Sequence, residues 1–201
     1  MWLDNDSNDA ITYFWKSAGE LENFPRNLER PLATSLPVAL VKVPRLSLRG
    51  IETWLRRRRV SFSFHCESRA VRGSLVAYGG KGIIFLEGSD PNDEIRFTIA
   101  HEIAHFLIDY WVPRQKAISK FGNDIASVFD GQRSPTVNER LYAILGGANL
   151  GVFVDVMERG PASEGEIWRV ENQADKIALA LLAPPDDVLK ISDLSASRFT
   201  E

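Results

Sequence analysis

Apolar positions along this chain change their period several times, and each change marks an element. Leu48, Ile51, Trp54 and Leu55 recur at helical spacing in SLRGIETWLRRRRV, which predicts a helix within 47–60. VALVKVP at 38–44 has an extended, β-rich composition, and VSFSFHC at 60–66 alternates apolar and polar residues as a half-buried strand does. Between 73 and 88, two β-rich runs flank Gly79-Gly80-Lys81-Gly82, a hairpin signal. ERPLATSLP at 29–37 reads as a loop, and AITYFWKSAGEL at 10–21 as a short helix packed on the body, with the aromatics Trp2 and Phe24 nearby. The period becomes helical again after SDPND: Ile95, Thr98, Ile99, Glu102, His105, Phe106 and Asp109 share a repeat. Asp90 is placed to cap that helix, Pro91 to open it, and Asp93 and Glu94 to face the positive end of its dipole.

From 112 to 165 the pattern weakens. TVNERLYAILGGANLGVFVDVMER predicts helical pieces broken at Gly146 and Gly147, and ERGPASEGE a surface loop. A last helix, IWRVENQADKIALALLAPP, is stopped by Pro184 and Pro185. This divides the chain into an N-terminal helical and extended lobe (1–59), a core (60–186) with a helical insertion at about 112–165, and a tail (187–201). The expected fold class is α+β: a small twisted β-sheet packed on the helix that Pro91 opens, with helices around it.

Composition narrows the function. The 201 residues are 44% hydrophobic and carry a net charge of −3, an unpromising balance for a nucleic-acid binder. The four arginines at 56–59 read as a solvated helix end, so direct nucleic-acid contact is not expected. One cysteine, Cys66, precludes an internal disulfide and points to a reducing compartment. MWLDNDSNDA has neither a basic nor an apolar signal region, and no apolar run reaches the length of a membrane span. The expectation is a cytoplasmic protein without a membrane partner. Oligomeric state is not legible.

The chemistry is concentrated in His101-Glu102-Ile103-Ala104-His105, which holds two of the three histidines. Residues four apart on a helix lie on one face, roughly 5–6 Å apart at Cβ. Two imidazoles so placed reach one ion at about 2.0–2.1 Å. Glu102 projects beside that ion, where a carboxylate takes a proton from water. A third ligand is needed. Glu171 is the best source, because Glu171, Asp175, Ala178 and Leu182 share one face of the last helix. Asp175, one turn on, then accepts a hydrogen bond from a ligating histidine and fixes its ring. Asp109 is the rival; it lies about 12 Å along the helix from His101, too far to converge without a kink. His65 is a distant third, read as a packed strand residue. Tyr110, Trp111 and Tyr142 read as core or rim residues. Lys81 among its glycines lacks the phosphate-loop pattern.

RFTIAHEIAHFLI followed by ENQADKIALALLAPP resembles the ImmA/IrrE family of metallopeptidases, as does the hairpin region GSLVAYGGKGIIFLEGSDPNDEIRF before them. LPVALVKVPRLSLRGIETWL resembles the N-terminal part of many members, so the resemblance covers most of 35–186. It implies a zincin-like fold and a zinc endopeptidase of the gluzincin kind. The ion would be Zn2+, or another divalent metal such as Mn2+, held by His101, His105 and Glu171, with Glu102 as general base. The implied partner is a protein substrate, a helix-turn-helix repressor or antitoxin of a stress, phage or mobile-element regulatory pair. The alternative is a non-catalytic protein that sequesters such a repressor. Two further expectations concern access. A substrate strand adds to an exposed hairpin edge at 82–86, and the 112–165 segment forms a helical flap that restricts entry.

Overall fold

The computed structural model describes residues 3–19, 26–146, 148–159, 166–184 and 187–189. Trp2 and Phe24, the expected breakers Gly147 and Pro185, the 160–165 part of the expected loop and the tail beyond 189 lie outside them. Helices α1 (Asn5–Ala18) and α2 (Glu29–Ser35) precede strand β1 (Val38–Val43) and helix α3 (Leu48–Arg57). The hairpin β2 (Val71–Tyr78) and β3 (Lys81–Glu87) leads into α4 (Asn92–His105). A π-helical turn, Phe106–Trp111, joins α4 to α5 (Val112–Phe121), followed by a 3-10 turn (Asn123–Ile125), α6 (Ala126–Phe129) and α7 (Val137–Leu145). Strand β4 (Phe153–Glu158) and helix α8 (Glu166–Leu182) complete the order. The α+β expectation holds.

The sheet order is β1-β3-β2-β4, with β1 parallel to β3 and the other pairs antiparallel. Gly79 and Gly80 form the two-residue hairpin turn at φ 58° and 72°, the left-handed pair that matches strand twist. One sheet face, with Leu75, Ala77, Ile84 and Leu86, packs on α4, α8 and α1. The opposite face, with Val76, Ile83 and Phe85, packs on Leu48, Ile51 and Leu55 of α3. The sheet is thus the middle of three layers. Ala100 and Ala104 of α4 and Ala174 and Ala178 of α8 are fully buried in one core, small enough to let the two helices approach closely.

Several expectations change. Residues 29–35 are helical. Helix α4 starts at Asn92, with Pro91 at its cap and Asp90 outside it. Residues 60–66 form no strand: Phe62 and Phe64 meet edge to face at 5.0 Å over the α3 side, but the Phe64 N–H donates to Glu52 Oε1 at 2.7 Å. The alternation there records ring packing without strand pairing. His65, on this segment, is exposed. The 112–165 insertion is helical only in its first part, which encloses its own cluster of Ala117, Ile125, Val128, Phe129 and Ala143. Its later part is β4, which returns to the sheet. Finally, β3 lies between β1 and β2, so 82–86 has no free edge; among the described residues the sheet ends are β1 and β4.

Glu87 anchors the crossover from β1 to α3. Its buried carboxylate accepts the backbone N–H groups of Leu46 (2.7 Å), Arg45 (2.9 Å) and Ser89 (2.9 Å). Arg45 has a left-handed backbone, φ 57°, which only such a fixed turn supports. Burial alone would raise the Glu87 pKa; the three N–H groups outweigh it and hold it below the ordinary carboxylate value. Their stabilisation is therefore complete above the usual range, near ~4.3, and lost as pH falls through the lower folded-state value. Glu87→Gln should cost about 2 kcal/mol at pH 7, and urea titrations should show the gap to the parent narrowing toward pH 3. A pH-independent gap would contradict this account.

Candidate metal centre

Helix α4 is buried on nearly every side. Ile95, Ile99, Ala100, Ile103 and Ala104 fill the core, and His101, Glu102 and His105 are as deeply buried as these. Polar side chains in such a place need partners. His101 Nδ1 meets Asp175 Oδ1 at 2.9 Å and His105 Nδ1 meets Asp109 Oδ2 at 2.8 Å. Carboxylates only accept, so each Nδ1 carries a proton and donates, and with no second proton on the ring each Nε2 presents a lone pair.

Those two Nε2 atoms face each other at 3.2 Å. Glu171 of α8 closes on them, with Oε2 at 3.3 Å from His101 Nε2 and Oε1 at 3.8 Å from His105 Nε2. Asp155 of β4 closes from the other side, its Oδ2 at 3.7 Å from His105 Nε2. The donor atoms of His101, His105, Asp155 and Glu171 all lie within 4.8 Å of one another. Ligands on a tetrahedral ion at 2.0–2.1 Å sit roughly 3.3 Å apart, so the spacing fits. The chemistry fits too. Two imidazole nitrogens and two carboxylates converge in a buried space, and Asp155 Oδ2 has no hydrogen-bond partner among the described residues. A cation would satisfy all four at once, so this group could hold a metal ion.

The electrostatics report the same demand for positive charge. Burial would depress the His101 imidazolium, but the hydrogen bonds to Asp175 and Glu171 override it and push the pKa up to about 10. His105 behaves likewise: burial lowers its pKa, and the Asp109 hydrogen bond and the Asp155 charge raise it further. The His101 hydrogen bond holds Glu171 below its usual value against the effect of burial. Burial raises Asp155. Glu102 is wholly enclosed, and burial, aided by the Asp155 charge, pushes it up to about 8. Both of its oxygens lack partners.

The structure thus brings together His101, Glu102, His105, Glu171 and Asp175, as the sequence expects. It places Asp109 differently. The π turn supplies the break in the helix, yet the Asp109 carboxylate turns to His105 Nδ1 and not to the ion position. His65 takes no part. Tyr110 is buried and its hydroxyl accepts the Gly80 N–H at 2.8 Å, tying the π turn to the hairpin tip. Trp111 donates to Tyr13.

Two residues of the site are not singled out by the sequence pattern. Asp155 falls in a stretch whose pattern reads as helical, whereas a strand over VFVDVM puts its acid on one sheet face. Gly73 is the other. A Cβ there would lie 2.4 Å from Thr98 Cγ2 and 3.0 Å from Glu102 Oε1. A glycine inside a strand signals such a close approach.

No family model, curated protein or solved structure matches this chain.

Asp109→Ala and Asp175→Ala should each weaken metal affinity roughly 10–100-fold, measured by chelator competition, because each frees a ligating ring to turn. Unchanged affinity in either would show that its ring needs no such hold. Gly73→Ala should destabilise the protein by about 1–3 kcal/mol through overpacking. Adding Thr98→Ala, which removes the nearer obstacle, should recover part of that loss in thermal denaturation; no recovery would place the strain elsewhere.

Proposed function

We propose that the chain is a metal-dependent endopeptidase, with zinc the first candidate and Mn2+ the second. The observation that carries this is Glu102: an enclosed carboxylate with two unpartnered oxygens, one residue from His101 and beside the four-donor cluster. Metal binding alone does not need it. A divalent ion held by His101, His105 and Glu171 would supply Lewis acidity for a peptide carbonyl and for water. Glu102 takes the proton of the attacking water at its Oε atoms and returns it to the leaving amine. Asp175 and Asp109 keep both histidine Nε2 lone pairs directed inward throughout. Gly73 gives the Glu102 carboxylate room against β2.

Asp109 also lines a pocket of about 400 Å³ with Ile108, Val112, Tyr142, Leu145 and Gln173. None of His101, Glu102, His105, Asp155 and Glu171 lines it. The helical part of the insertion supplies Tyr142 and Leu145, consistent with a flap that restricts entry. The resemblance to ImmA/IrrE proteins supports a helix-turn-helix repressor or antitoxin as the substrate, in the cytoplasm. No helix among the described residues is long and apolar enough to cross a membrane.

A second reading is a non-catalytic protein that holds such a repressor. Asp155 favours it, since four protein donors are characteristic of a structural metal site. Glu102→Gln separates the two readings. The variant should keep the parent's metal content and fold while cleavage of a helix-turn-helix repressor substrate falls by at least about 100-fold, within the usual range for a lost general base. Cleavage near the parent rate would remove Glu102 from the chemistry. A parent that binds the repressor stoichiometrically and never cuts it would establish the second reading.

A further inference from the structure

We propose that Asp155 is a fourth protein ligand to the metal, and that it holds the hydrolytic centre latent until an incoming carbonyl or similar oxygen donor displaces it. The inference rests on the metallopeptidase reading and adds its regulation.

A hydrolytic zinc centre keeps one position for water and substrate, whereas a structural one fills all four with protein atoms. Here three donors come from helices α4 and α8, and they already suffice for the first kind. The fourth comes from a different layer. In β4, Asp155 pairs with Leu75 of β2, and both side chains lie on the sheet face turned toward α4. The Asp155 carbonyl accepts the Ser74 hydroxyl at 2.6 Å, so the backbone is pinned at the cluster. From there the side chain reaches inward and leaves Oδ2 buried, 3.7 Å from His105 Nε2, with no hydrogen-bond donor to satisfy it. Arg159, the cation that follows the strand, is engaged instead by Asp90 at 2.7 Å. Beside three such donors, a buried carboxylate oxygen with no hydrogen-bond donor among the described residues is placed to complete the coordination of an ion.

Its attachment also makes it the exchangeable member. His101, His105 and Glu171 stand on two helices locked together through buried alanines, and both rings are fixed by second carboxylates. Among the described residues Asp155 stands on an edge strand, and no side-chain hydrogen bond fixes its carboxylate. A rotation about its side-chain bonds frees one coordination position without unpairing β4 from β2. Withdrawn, the carboxylate no longer adds its negative charge beside Glu102.

The test uses the full chain loaded with Co2+ or Zn2+, comparing the parent with Asp155→Ala and Asp155→Asn, each checked for fold by circular dichroism. Two quantities are read: metal affinity by chelator competition, and binding of acetohydroxamate, an oxygen donor, from the visible spectrum of the Co2+ form. The alanine variant should lose metal affinity by roughly tenfold or more, at least what an outer partner contributes. It should also bind acetohydroxamate at least tenfold more tightly than the parent, because the internal competitor is gone. The asparagine variant should fall between them. Equal metal affinity and equal acetohydroxamate binding in parent and alanine variant would overturn the fourth-ligand assignment and leave the metallopeptidase reading standing. A parent that takes up neither metal would overturn both.

Discussion

Two imidazole nitrogens facing each other 3.2 Å apart in a buried space are the constraint on which the rest depends. They cannot both present lone pairs there without a positive charge between them, and Glu171 and Asp155 add negative charge to the same volume. The arrangement persists because each ring is held from behind by a carboxylate. Asp175 and Asp109 thus fix the direction of the ring atoms that face the cluster. The cluster is a stable part of the fold only if positive charge occupies it.

The three layers exist to bring these groups together. Helix α4 supplies both rings and Glu102 at helical spacing. The alanine seam lets α8 come close enough for Glu171 and Asp175 to reach two different nitrogens of His101, at 3.3 and 2.9 Å. The π turn then allows Asp109, four residues past His105, to bend back to its ring. On the other side the sheet approaches so closely at Gly73 that no side chain fits there. The insertion leaves the site as helices and returns as β4, delivering Asp155. It is therefore a component of the centre as well as a wall beside it.

Much of this was legible in local pattern. The spacing of His101 and His105, the Glu171–Asp175 pair one turn apart and the double-glycine hairpin turn are all short-range signals, and each sits where the sequence places it. What was illegible depended on contacts between distant segments. VFVDVM is half-buried on both faces because it lies between two layers at the sheet's edge, so it shows no clean alternation. Its pairing with β2 joins residues about 80 positions apart, and nothing local announces it. In 60–66 the opposite happened: a clear alternation came from Phe62 and Phe64 packing side by side, with no strand to pair. Helix rise already set Asp109 behind Glu171 as a ligand; what the sequence does not display is the π turn, beside which its carboxylate meets the His105 ring.

The most direct test of the central claim is X-ray absorption at the metal edge of the protein purified with Zn2+. The account predicts about one ion per chain, coordinated by nitrogen and oxygen only, with the outer-shell scattering of two imidazoles. A spectrum without imidazole scattering, one with a sulfur ligand from Cys66, or a chain that retains no ion would contradict it.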